Sequence, residues 1–351
     1  MKHSALSLLF FSLLLTGCVA SSHAARATLP GMVKSAPASS TDTHRLSEQG
    51  RDPAEFPAYI ENLKAQARAQ GIRPAVIRAA FANIHFVDRV IHADRNQPEK
   101  QVTLDDYLKR VLSVKKIATG RSMLAQYRLQ LRAVSQRYGV EPAFLVAIWG
   151  VESQYGEIQG KEDIVSALAT LAFEGRRESF FKKELFAALR MIQRGAIDAN
   201  SMKGSWAGAM GQNQFMPGSY LAYGADGDGD GRIDIWNNPD DVFASTANYL
   251  AREGWQTALR WGSEISLPAS FDSSLAGTKQ AQGKTRAQWQ KLGVSVPDGV
   301  LSPSQRAWIV LPDNAGGRAF MVSDNFRTLL RWNRSYYFAL SVGMLADAIA
   351  Q

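Results

Sequence analysis

PAFLVAIWGVESQYG, from Pro142 to Gly156, is the stretch that decides the fold. A proline is tolerated in the first turn of a helix, so Pro142 opens one that runs to about Gln154. Leu145, Trp149 and Glu152 then share one stripe at steps of four and three, with a carboxylate at the end of a largely apolar face. Desolvation disfavours the charged form of such a group, so its pKa rises and it can give a proton to a leaving oxygen near neutral pH. The bland alternative is a structural glutamate at a helix end, paired with a buried arginine such as Arg176 or Arg177.

Helical periodicity continues on both sides. Phe56, Ile60, Leu63 and Ala67 share a face, and Pro74 leads Ile77, Ala80, Phe81 and Ile84. Leu124, Tyr127, Leu131, Val134 and Tyr138 step along one further helix. Others are predicted from Phe180 to about Gln193, from Pro239 to about Arg252, and from Ser335 to Ala350. Between about Gly262 and Asp324 the pattern changes to Gly, Ser and Pro clusters with two strand-like runs, Arg306 to Leu311 and Arg318 to Val322. The fold class is therefore mainly α with a small β-containing insertion.

The 351 residues contain Lys+Arg 40 against Asp+Glu 32, five His and one Cys. His3, His23 and His44 precede the helical pattern, which leaves His85 and His92 without a zinc-type HExxH pair and disfavours Cys/His or Ser/His/Asp catalysis. The net charge of +8 suits anionic partners such as an acidic glycan or lipid headgroups, or is simply a soluble basic surface. Lys2 precedes an apolar run from Ala5 to Leu15, too short to span a bilayer but suited to an export signal. Leu15, Thr16, Gly17 and Cys18 look like a bacterial lipobox, so 1–17 reads as a lipoprotein signal peptide and Cys18 as the lipidated residue. Residues 18–50, rich in Ala, Ser, Thr and Pro, read as a disordered tether. Export rules out nucleic acid as a partner.

Two further segments carry chemistry. Gly204 to Pro217, GSWAGAMGQNQFMP, combines glycines that admit a close ligand with amides and an aromatic face, as a sugar cleft needs; a tight helix-helix turn is the competing reading. ADGDGDGRIDIWNNPDD places Asp226, Asp228 and Asp230 at loop positions one, three and five, Gly231 at six, Arg232 at seven and Asp234 at nine of an EF-hand-like pattern. Position twelve is Asn237 where a bidentate Glu is expected. The loop reads as a structural calcium site, calcium being favoured over magnesium by ligand number and loop flexibility, or as an acidic surface turn.

Taken jointly, GVESQYG, ALATLAFEGRRESFF (167–181), the Gly-rich segment, the acidic loop, STANYLAREGW (245–255) and WNRSYYFALSVGMLADAI (332–349) resemble the membrane-bound lytic murein transglycosylase B family over most of residues 55 to 350. The resemblance implies a lysozyme-like α domain that cleaves the MurNAc–GlcNAc β-1,4 bond of peptidoglycan and leaves 1,6-anhydromuramoyl ends. It implies Glu152 as the single acid and base, with Ser205, Gln214, Phe215 and Met216 near the sugar and Asn333 orienting it. Arg176 and Arg177 would meet peptide or lactyl carboxylates, and Tyr107 and Tyr249 would line the cleft. Asp241 would complete a calcium site with Asp226, Asp228, Asp230 and Arg232, with Asp240 as its competitor. Phe180, Trp332 and Phe338 stand where many relatives carry Tyr, which withholds hydrogen-bonding roles from those three.

By the same resemblance, 51–351 is the catalytic region: an N-terminal helical part (51–140), a lysozyme-like core with the calcium loop (141–261), the β-containing insertion (262–324) and a terminal helix returning to the core (325–351). It implies no organic cofactor. It also implies an outer-membrane lipid anchor at Cys18 facing the periplasm, with peptidoglycan strands, and cell-wall synthesis or division proteins, as partners. A non-catalytic peptidoglycan-binding or scaffold lipoprotein and a hydrolytic muramidase are the alternatives.

Overall fold

The computed structural model describes residues 50–95, 102–297, 299–314 and 316–351. Cys18, the export signal and nearly all of the tether lie outside the described residues. Among them fourteen α-helices form the bulk of the protein: α1 (Phe56–Ala69), α2 (Pro74–Ala80), α3 (Asp88–Arg95), α4 (Leu104–Val111), α5 (Val114–Gln126), α6 (Arg128–Tyr138), α7 (Pro142–Ser153), α8 (Ile164–Glu174), α9 (Glu178–Gln193), α10 (Pro217–Tyr223), α11 (Pro239–Arg252), α12 (Arg286–Lys291), α13 (Asp324–Trp332) and α14 (Tyr336–Ala350). The strands are short: β1 (Glu162–Asp163), β2 (Lys203–Gly204), β3 (Gly262–Ile265), β4 (Lys284–Thr285), β5 (Arg306–Val310) and β6 (Ala319–Val322).

The centre is built from helices that are apolar all round. Every residue of α8 is buried, as is α7 from Phe144 to Gly150, so neither has a solvent face to spare. Burying side chains the size of Leu145 and Ile148 stabilises the fold by roughly 1.5–3 kcal/mol each. α14 packs along α7 and α9 along α8. The face predicted for α1 is buried at all four positions, Phe56, Ile60, Leu63 and Ala67.

Three expectations need correction. The run from Leu124 to Tyr138 is not one helix: the chain breaks at Tyr127, whose ψ of 22° departs from helical geometry, and α5 and α6 meet there. Periodicity survives such a kink because the hydrogen bonds from Tyr127 to Met123 and from Leu131 to Tyr127 keep the same phase on both sides. The helix expected from Phe180 begins at Glu178. The insertion holds a four-stranded antiparallel sheet, order β3-β6-β5-β4, and a short helix, α12, where only two strands were legible. Thr285 caps that helix with a reciprocal Thr285–Gln288 pair. The sheet has its own apolar cluster, including Ile265, Trp289, Val294, Ile309 and Met321. Arg318 reaches from it to Asp105 on α4 at 2.9 Å, and Asp313 accepts from the Leu104 N–H at 3.0 Å, so the insertion is docked against the helix that carries Tyr107.

Candidate active site

Glu152 stands in the last turn of α7, just before a sharp reversal. Gln154, Tyr155 and Gly156 follow with φ of 52°, 60° and 89°. Left-handed backbone costs a non-glycine residue about 1–2 kcal/mol, so the reversal is held from outside. The Tyr155 hydroxyl donates to the Lys116 carbonyl at 2.8 Å, and its ring meets Trp149 edge-on with centroids 5.6 Å apart. The two glycines that bracket the motif are spaces for neighbours: a Cβ on Gly150 would lie 2.6 Å from the Tyr155 ring, and one on Gly156 would lie 2.4 Å from Gln212 Oε1. That same Gln212 oxygen accepts from Trp149 Nε1 at 2.8 Å, while Gln212 Nε2 donates to the Trp236 carbonyl at 2.9 Å. The Gly-rich segment is thereby fastened to the helix that carries the acid.

Glu152 is half-buried as a residue, and its carboxyl is crowded by protein. Trp332 Nε1, at the end of α13, donates to Glu152 Oε1 at 2.7 Å. Burial pushes the carboxyl from its ordinary 4.5 up to about 7, and the indole N–H pulls in the opposite direction. No second carboxylate among the described residues adds to the push. Neither Arg176 nor Arg177 pairs with it, so the structural reading as one half of a buried ion pair falls.

An aromatic cluster adjoins the acid through Trp332. Trp332 packs against Tyr249 and Phe215 with centroids 4.8 and 5.2 Å away, and the Tyr249 hydroxyl donates to the Arg331 carbonyl at 2.7 Å. Tyr107, on α4, is tilted against Tyr337 at 5.5 Å. Its phenol is pushed up to about 12, mainly by burial, against a Ser341 hydrogen bond and with the Glu152 charge adding to the rise. Ser205 is buried, its hydroxyl accepting from the Ala209 N–H at 3.0 Å. Gln214 takes a left-handed φ of 51° and donates to the Gly211 carbonyl at 2.8 Å. Its Oε1 and both amide atoms of Asn213 are buried without a hydrogen-bond partner among the described residues. Met216 caps α10, half-buried. Asn333 adjoins Trp332, and its side-chain oxygen accepts from the Ser335 N–H at 3.1 Å.

Arg176 and Arg177 are drawn into an ion-pair cluster. Both hold the buried Asp94 carboxylate, and Arg176 also donates to Glu174 at 2.8 Å, as does Arg95 at 2.9 Å. Side-chain exposures of 39% for Arg176 and 20% for Arg177 make Arg176 the more open to an incoming carboxylate. Phe180 is 38% exposed beside them, whereas Phe338 is buried in α14. Of the three residues denied a hydrogen-bonding role by the sequence, Trp332 has one, and with the acid itself. Its place beside Asn333 marked the tail segment but gave no sign of this bond.

In the acidic loop the carboxylate oxygens of Asp226, Asp228 and Asp230 lie within 4.8 Å of one another. Backbone N–H groups hold them in place: Gly229 and Gly231 donate to Asp226 at 2.6 and 2.8 Å, and Arg232 donates to Asp230 at 2.8 Å. Three like charges gathered this closely fit a hard cation bound through oxygen. Asp241 is not in that trio. It is buried beneath the loop, accepting from the Gly227 and Asp234 N–H groups at 2.7 and 2.6 Å, so it ties the loop's two arms to the start of α11. Asn237, at the deficient twelfth position, is turned to Asp234 at 3.0 Å. Asp240 is half-buried, its pKa raised by burial and by the Asp228 charge.

Comparison with known proteins shows the family. Residues 55–347 match the model of the transglycosylase SLT domain family. The chain is 31% identical over 322 residues to membrane-bound lytic murein transglycosylase B of Escherichia coli (strain K12), covering 88% of this chain and 86% of that protein. Among solved structures it is similar to SltB3 from Pseudomonas aeruginosa in complex with NAG-NAM-pentapeptide, at 42% identity and a TM-score of 0.79 over 84% of this chain and 79% of that one. SltB3 in complex with NAG-anhNAM-pentapeptide gives the same values. The Escherichia coli lytic transglycosylase SLT35 in complex with calcium matches at 29% identity and a TM-score of 0.73, covering 88% and 97%.

Proposed function

From the premise that this chain belongs to the transglycosylase SLT domain family and is a lytic transglycosylase of peptidoglycan, we propose that Glu152 is its single acid and base. The observation that carries this reading is a carboxyl at about pKa 7, crowded by protein beside an aromatic cluster and free of ion pairing. A pKa raised to about 7 keeps the proton available near neutral pH, and the carboxylate left once it is given up can take the next one.

Ordinary glycosidases need a second carboxyl as nucleophile or as base for water. Glu157 is exposed, and Asp163 is occupied in capping α8, accepting from Ser166 N–H at 2.9 Å, and in pairing with Lys203 at 3.1 Å. In the reaction proposed here, Glu152 protonates the oxygen of the MurNAc–GlcNAc β-1,4 bond as that bond to carbon 1 breaks. The muramoyl carbon-6 hydroxyl, held on the same ring, attacks carbon 1, and Glu152 takes its proton. Effective molarity replaces the missing group, and the product is a 1,6-anhydro end with no water consumed. Acid–base catalysis contributes ~10²–10⁴-fold, so the remainder comes from positioning by Phe215, Trp332, Tyr249 and Tyr107 and by the polar groups of Ser205, Gln214 and Asn333.

Asp226, Asp228, Asp230 and the Arg232 carbonyl are the proposed calcium ligands. Asp241 supports the loop as it stands, accepting from the Gly227 and Asp234 N–H groups, and is the further ligand that the family resemblance implies. A bound calcium ion neutralises the clustered charge, a structural effect. Arg176 and Arg177 are proposed to meet substrate carboxylates, which must share them with Asp94. A lipid anchor at Cys18, holding the enzyme at the outer membrane on its periplasmic side, follows from the lipobox-like sequence; no helix among the described residues is long and apolar enough to cross a membrane. Digestion of purified sacculi with mass analysis tests the reaction. Muropeptides lighter by one water than hydrolysis products support it, and water-added reducing ends point to a muramidase.

A further inference from the structure

We propose that Trp332 is the positioning residue for the proton on Glu152, its indole N–H engaging Oε1 so that Oε2 presents the proton to the glycosidic oxygen. An indole nitrogen only donates. At 2.7 Å from Trp332 Nε1, Oε1 must therefore act as acceptor whether Glu152 is charged or neutral. When the acid is neutral, its carbonyl oxygen is the better acceptor, so the bond to Oε1 favours the proton on the other oxygen. The bond thus favours one of two tautomers of the carboxylic acid, which burial alone does not do.

The donor is itself held. Tyr249 meets the indole edge-on at 4.8 Å and Phe215 lies at 5.2 Å, while Tyr249 is anchored by its hydroxyl to the Arg331 carbonyl, one residue before the tryptophan. α13 ends there, with the Asn333 N–H donating to the Leu329 carbonyl at 3.0 Å. The indole is not part of a mobile loop but the last side chain of a helix wedged between two rings.

The hydrogen bond also acts on the equilibrium. It is stronger to a carboxylate than to a neutral acid, so it draws the pKa down while burial raises it. A group that is first acid and then base works best when neither state is scarce, and Trp332 holds it there. Tyr107 on α4 senses the Glu152 charge and is a phenol that remains neutral at working pH. From α5, Lys116 spends its ammonium on the Gly150 carbonyl at 2.9 Å. Neither supplies what the indole does.

This inference rests on Glu152 being the acid, and the test separates the two. In the full chain labelled with ¹⁵N-tryptophan, the Trp332 indole resonance, assigned by its loss in Trp332→Phe, should move with pH with a midpoint near 7. It should stop titrating in Glu152→Gln. Trp332→Phe keeps an aromatic ring but no donor, and should shift the alkaline limb of kcat/KM upward by about one pH unit while lowering kcat ~10-fold or more. An indole resonance indifferent to pH between 5 and 9, in an enzyme that needs Glu152, overturns the inference. So does an unmoved alkaline limb in Trp332→Phe. Undiminished turnover by Glu152→Gln instead overturns the reading of the acid, whatever the indole does.

Discussion

Replacing Glu152 with glutamine should make the protein more stable in alkaline solution even as turnover is lost. A carboxyl whose folded pKa lies above its unfolded value holds its proton more tightly when folded. Its ionisation therefore opposes folding as pH rises above 4.5, and the opposition is complete above about 7. The gap of about 2.5 pH units corresponds to ~3.4 kcal/mol, and the partial exposure of the residue reduces it to about 2–3 kcal/mol. At pH 5 the same relation leaves less than about 1 kcal/mol. Glutamine keeps the shape and can still accept from Trp332 but never ionises. With an unfolding entropy of ~2.1 cal/mol/K per residue over roughly 300 ordered residues, the variant should melt about 3–5 °C above wild type at pH 8 and within about 1–2 °C of it at pH 5. Differential scanning calorimetry of both proteins at the two pH values measures this. A melting difference that does not grow with pH, or a variant less stable at pH 8, refutes the claim that burial strains this carboxylate.

Turnover by wild type should fall about tenfold per pH unit above about 7, since only protonated Glu152 can release the leaving oxygen, and a pH profile of kcat/KM shows the limb directly. Calcium at ~1 mM, bound with a Kd of ~0.1–1 mM, should add about 0.4–1.4 kcal/mol, or roughly 1–2 °C of melting temperature. Asp228→Asn should abolish that increment, whereas equal shifts with and without the substitution argue against the loop as the site. Gly160→Ala would force a Cβ to 2.1 Å from the Gly204 carbonyl at a φ of 88°, next to Ser205. It should cost about 2–5 kcal/mol and lower kcat, while Gly195→Ala, at φ 74° with nothing within 4 Å, should cost only ~1 kcal/mol and leave kcat alone. Thermal melts and rates of the pair check both halves.

The helical centre was legible because burial writes itself as pattern. Leu145, Trp149 and Glu152 fall on one stripe, and Pro142, Pro239 and Ser335 mark helix starts that the structure keeps to within a residue. The four-stranded sheet was half hidden. β3 and β4 are too short for alternation to register, and their pairing with β6 and β5 depends on residues tens of positions away. At the site, the apolar stripe announced the acid, but its partner lies 180 residues on, and no local rule connects Trp332 with Glu152. Tryptophan where the resemblance implies tyrosine reads as loss of a hydroxyl; only the three-dimensional path of α13 reveals that the indole N–H makes a hydrogen bond. Arg176 and Arg177 looked free for substrate for the same reason, since the Asp94 that holds them comes from α3.

The rate at which 1,6-anhydro ends appear when intact sacculi are digested by wild type and by Glu152→Gln, with binding to the same sacculi measured alongside, bears most directly on the role of this carboxyl. The geometry predicts that the variant binds as wild type does and forms such ends at least 10²-fold more slowly. Ring-closed products accumulating at the wild-type rate from a variant without that acid would contradict it.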